Sequence, residues 1–66
     1  MYFNYSKEVA QLSLTELNPN GIGLKVIRTF PSAYQASKFT GIAQANISAC
    51  LDGILPSAGG YKWCFV

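Results

Sequence analysis

Along residues 9–30 apolar and polar positions recur with the period of a strand. "VAQLSLTEL" mixes apolar and β-branched residues with polar ones. "IGLKVIRTF" then alternates, with Ile22, Leu24, Val26 and Phe30 on one side and Lys25, Ile27 and Thr29 on the other, Arg28 interrupting the apolar side. Between the two runs stands "NPNG", residues 18–21. Proline presets one turn dihedral and Asn-Gly takes positive φ readily, so residues 9–30 are predicted to form a β-hairpin. At Pro31-Ser32 the period changes, with Ser32 placed as an N-cap. "AYQASKF", residues 33–39, predicts a helix that buries Ala33, Ala36 and Phe39 and leaves Gln35 and Lys38 toward water, with Gly41 as its left-handed cap. A second helix is predicted over residues 43–51: Ala43, Ile47, Cys50 and Leu51 share an apolar sector, and Gly53 closes it.

Two short helices joined by a glycine-bearing turn make residues 32–53 a helix-turn-helix unit. After Ala58-Gly59-Gly60, read as a flexible approach, the period of two returns in residues 54–66. Tyr61, Trp63 and Phe65 lie on one face there, with Lys62, Cys64 and Val66 on the other. This end strand either pairs with the hairpin or forms a short wing, and its aromatics are expected to pack over the helices rather than stack unpaired bases. The expected fold is α+β, a small winged-helix-like domain. Residues 1–8 add an aromatic segment whose Tyr2, Phe3 and Tyr5 either dock on the sheet or form an exposed patch.

Composition narrows the function. Sixty-six residues allow one thin core, and half of them are hydrophobic, with 12% charged. Net charge is +2, from Lys7, Lys25, Arg28, Lys38 and Lys62 against Glu8, Glu16 and Asp52, a sign that suits a polyanion without forming a strong basic footprint. There is no His, and the three carboxylates are scattered, so no catalytic, metal or cofactor site is expected. Gly21-Ile22-Gly23 lies inside the hairpin and opens no helix, so it is no dinucleotide fingerprint. Residues 1–6 lack the apolar segment of a secretion signal, and no apolar run nears the ~18 residues of a membrane span. A cytoplasmic protein is expected, with Cys50 and Cys64 as reduced thiols.

"FPSAYQASKFTGIAQANISACLDGILPSAGGYKW" resembles the nuclease-associated modular DNA-binding repeat found beside the catalytic domains of intron-encoded GIY-YIG and HNH homing endonucleases. The resemblance is carried by Phe30, Ser32, Ala36, Thr40-Gly41-Ile42, Ile47-Ser48 and Ala58-Gly59-Gly60-Tyr61 with Trp63, about half of the chain. It implies a module that binds double-stranded DNA with its second helix in the major groove. Gln44, Ala45, Asn46, Ser48 and Ala49 would then read bases, and Lys25, Arg28, Lys38 and Lys62 would contact phosphates. Two departures stand out. Ile54-Leu55-Pro56 replaces a basic run, with the negative Asp52 just before it, and no nuclease domain is attached.

A free-standing regulator from a phage or mobile element, acting as a homodimer, is one expectation. The other is a module that has kept the fold without the DNA and binds a protein through Tyr2, Phe3, Tyr5, Ile54 and Leu55. Gln44, Asn46 and Ser48 also suit the plain solvated face of a short helix.

Overall fold

The computed structural model describes residues 7–66; Tyr2, Phe3 and Tyr5 lie outside them. Strand β1 (Val9–Leu17) and strand β2 (Leu24–Phe30) form the expected hairpin, followed by helix α1 (Ala33–Thr40), helix α2 (Gln44–Leu51) and strand β3 (Lys62–Phe65). The fold is α+β, with an antiparallel sheet in the order β2-β1-β3 and both helices in the connection between β2 and β3. β3 therefore pairs with the hairpin, on the edge of β1 opposite β2, and makes no separate wing.

Local chemistry sets the element ends. The Gly21 N–H donates to the Asn18 carbonyl (2.8 Å), Asn20 Oδ1 accepts from the Ile22 N–H (2.9 Å), and Gly21 takes a φ of 78°. Ser32 Oγ accepts from the Gln35 N–H (3.2 Å) and caps α1, and the Gly41 N–H donates to the Ser37 carbonyl (2.8 Å), a single left-handed closure. The Ala58-Gly59-Gly60 stretch is a closed turn rather than a flexible approach. Ala58 and Tyr61 exchange both backbone hydrogen bonds (2.8 and 3.1 Å) across two glycines of positive φ, which aims the chain into β3.

The core lies where the helices cover the sheet. Val9, Phe30, Ala36, Ile47, Cys50, Ala58 and Trp63 form one buried cluster. Trp63 is 1% exposed, stacks obliquely on Phe30 (6.1 Å between centroids), and donates its indole N–H to the Ala58 carbonyl (3.0 Å). The largest apolar group in the domain is thereby buried with its polar handle satisfied.

Four expectations about packing are corrected. The apolar side of β2 is not continuous: Gln11 pairs with Arg28 but Leu12 with Val26, so Ile27 is an extra residue, a β-bulge. The bulge moves Val26 to the face opposite Arg28 and Phe30, and of Ile22, Leu24, Val26 and Phe30 only Phe30 is buried. Phe39 is 64% exposed, lying beside Phe30 (5.6 Å) at the sheet margin instead of under it. Ala43 is not in the helix; it is the extended residue before α2 (φ −57°, ψ 130°), and it is exposed. Among the end-strand aromatics only Trp63 is sealed; Tyr61 is half-buried and Phe65 exposed.

Candidate nucleic-acid interface

The turn between the helices is fixed by side chains. Ser37 Oγ donates to the Ile42 carbonyl (2.7 Å), and Thr40 Oγ1 donates to the Ala36 carbonyl (2.7 Å) while accepting from the Ile42 N–H (3.2 Å). Gly41-Ile42-Ala43 is thus tied to the last turn of α1, which orients α2. Helix α2 sinks Ile47 (0% exposed) and Cys50 into the core, with Leu51 half-buried. Its C-terminus closes by two bonds, Gly53 N–H to the Cys50 carbonyl (3.1 Å) and Ile54 N–H to the Ala49 carbonyl (2.8 Å). This double closure needs a left-handed residue, and Gly53 supplies it with a φ of 82°.

The other side of α2 faces outward. Gln44, Ala45 and Asn46 are exposed; Ser48 and Ala49 are half-buried. Ala49 is partly shielded because the chain after Gly53 folds back, with Ile54 and Leu55 both donating to its carbonyl. At about 100° per residue Gln44, Ser48, Ala45 and Ala49 form one continuous strip, and Asn46 falls about 160° from Gln44, on the far flank. The five expected base-reading positions therefore divide: four are contiguous and Asn46 borders them. No side chain caps the N-terminus of α2, and its first turn carries no acid.

Gln44 and Ser48 also line an open cleft of about 180 Å³ with Lys7, Ala33, Asp52 and Phe65. Lys7 sits 4.8 Å over the Phe65 ring, beside the outward strip of α2. Lys7 is not among the four phosphate contacts expected from the sequence. It lies far from α2 in the chain, and only the sheet brings it there. Asp52, in the same cleft, sets a negative charge against it.

The four expected phosphate contacts are dispersed. Lys38, on α1, lies 5.5 Å over Tyr34, and Arg28, on β2, lies 4.5 Å over Phe39; each ammonium or guanidinium rests on a ring while staying exposed. Lys25 reaches Glu16 (3.5 Å) in an exposed pair along the hairpin arm. Lys62 alternates with the buried Trp63, so it occupies the sheet face turned away from the helices. The structure gathers Lys7 with α2 and spreads the other four cations.

Among the described residues no three His, Cys, Asp or Glu side chains come together as metal ligands, and no helix is long and apolar enough to cross a membrane. Cys50 and Cys64 are both free, and the Cys50 thiol lies 3.9 Å from the Trp63 carbonyl. Comparison with family models, with curated proteins and with solved structures finds no match to this chain.

Proposed function

We propose that this protein binds double-stranded DNA in a sequence-dependent way, laying the outward strip of α2 in the major groove. The observation that carries the reading is the outward strip itself, exposed at Gln44 and Ala45 and half-buried at Ser48 and Ala49. Small residues, Ala45 and Ala49, let the helix approach closely, and Gln44, Ser48 and the flanking Asn46 carry donors and acceptors at base-edge height. The uncapped start of α2 and Lys7 supply positive potential next to it. Lys38 and Arg28 can leave their rings for phosphates, whereas Lys25 and Lys62 contribute mainly to the general field. With so few cations each copy makes few phosphate contacts, which favours two copies acting on one site. A regulator of a phage or mobile element, working in the cytoplasm or on the nucleoid, fits this reading.

A second reading has an observation of its own. Ile54 is exposed beside half-buried Leu55 at the corner after α2, and Leu14, Leu17, Ile22 and Val26 are exposed along the hairpin arm. These surfaces suit a protein partner. Selection from a random-sequence duplex pool separates the two. The DNA reading expects an enriched motif that Gln44→Ala with Asn46→Ala abolishes while weak general binding persists. Absence of duplex binding even at low salt, with a partner lost on Leu55→Asp, would establish the second reading instead.

A further inference from the structure

Around the outward strip of α2 the side chains follow a definite order. Ser48 and Ala45 lie at its middle and Gln44 and Ala49 at its edges, with Asn46 about 60° past Ala49. Short side chains thus stand where a groove-bound helix comes nearest the bases, and the two amides reach in from the flanks. None of these five residues carries a charge. The five Lys and Arg residues of the chain stand elsewhere: Lys7 before β1, Lys25 and Arg28 on β2, Lys38 on α1 and Lys62 on β3. Asp52 sets a carboxylate one turn past Ser48, beyond the last residue of the helix, in the cleft that Lys7 also lines.

That chemistry discriminates among base pairs. Guanine is read chiefly by Arg or Lys on its O6 and N7, and cytosine by a carboxylate that accepts from its N4 amino group. The strip itself offers neither. An amide fits adenine, accepting from the N6 amino group and donating to N7, and an alanine methyl fits the C5 methyl of thymine. Of the two alanines Ala45 is the better placed, because it is exposed and Ala49 is half-buried. The Ser48 hydroxyl serves either kind of pair. Gln44 and Ser48, one turn apart, are separated by about 6 Å along the helix axis. That is close to two base-pair steps of about 3.4 Å.

Resting on the reading of α2 as the groove helix, we propose that it selects A·T base pairs over a block of about three pairs per copy. The Gln44 amide takes the N6 and N7 of an adenine, and the Ala45 methyl packs against the methyl of a neighbouring thymine.

The test begins with selection by the full chain from a random-sequence duplex pool at low salt, where the enriched motif should have a core of A·T pairs. Binding is then measured to the enriched duplex with single groups changed. Replacing the adenines one at a time by 7-deazaadenine removes the N7 acceptor, and at one position this should weaken binding about fivefold, the effect of one hydrogen bond. Replacing the thymines by deoxyuridine removes the methyl and should cost about fourfold at one position. Gln44→Ala should abolish the first sensitivity and Ala45→Gly the second, while Asp52→Asn leaves the motif unchanged. The modified duplexes need no variant, so they carry the test even if Ala45→Gly loosens α2. A motif with G·C pairs at its core would overturn the A·T choice while leaving the groove helix standing. So would an A·T motif indifferent to both modifications, which marks recognition of groove shape. Duplex binding without any motif, or no duplex binding at all, would overturn the groove helix and the A·T choice with it.

Discussion

Val9 and Leu17 begin and end the same strand, yet Val9 is fully buried and Leu17 is 59% exposed. At the Val9 end the sheet has three strands and two helices across it; Val9 pairs with Phe30 and Phe65, and Phe30 and Trp63 close over it. At the Leu17 end only two strands remain. Pairing there also lapses, because Ser13 Oγ accepts from the Thr15 and Glu16 N–H groups (3.1 and 2.9 Å) and bends β1 out of register between Leu12 and Leu17. Both ends are strand-like and apolar, and only one is covered by other elements. Burial is therefore a tertiary property here, and the hairpin arm is an exposed extension of a core that is complete without it.

That contrast predicts a steep gradient of mutational cost. Trp63→Ala or Ile47→Ala should destabilise by about 3–5 kcal/mol, enough to unfold most of so small a domain, as denaturant titration would register. Gly53→Ala should cost about 1–2 kcal/mol, because the new residue must hold a positive φ at the end of α2. Ser32→Ala should cost about 1 kcal/mol through loss of the α1 cap, read as a lower unfolding midpoint. Leu17→Ser should change stability by less than about 0.5 kcal/mol. A costly Leu17→Ser would mean that something covers the arm in solution and would favour the protein-partner reading. Lys25→Ala should be the mildest, since an exposed pair with Glu16 contributes about 0.5 kcal/mol or less and less still in high salt.

The same contrast separates what could be read from residues in order. Turns and caps were legible because their chemistry is local: Pro19-Asn20-Gly21, Ser32, Gly41 and Gly53 each act within a few residues of themselves. The order of elements and the inward Ala36, Ile47 and Cys50 followed from period alone. The bulge at Ile27 was not legible, because it depends on which residue of β1 lies opposite. Phe39 fits the apolar stripe of α1 by spacing, but the sheet ends short of it and leaves it beside Phe30. Ala43 fits an apolar helical sector, but the carbonyl that starts α2 is its own, which makes it the cap. At the candidate interface the composition of the strip was readable, while its division between Gln44 and Asn46, and the arrival of Lys7, needed the fold.

Charge should sharpen the account of α2. If about three phosphates are neutralised, duplex affinity falls about fortyfold between about 50 and 200 mM salt. Lys7→Ala should lower affinity for all sequences alike and reduce the salt slope by about one. Lys62→Ala, on the far face of the sheet, should do much less.

The most direct measurement maps backbone amide chemical shifts when a DNA duplex is added at low salt. The largest changes should fall on Gln44, Ala45, Asn46 and Ser48, with Lys7 beside them and the hairpin arm silent. Changes concentrated on Leu14, Leu17, Ile22 and Val26, or no changes at all, would contradict it.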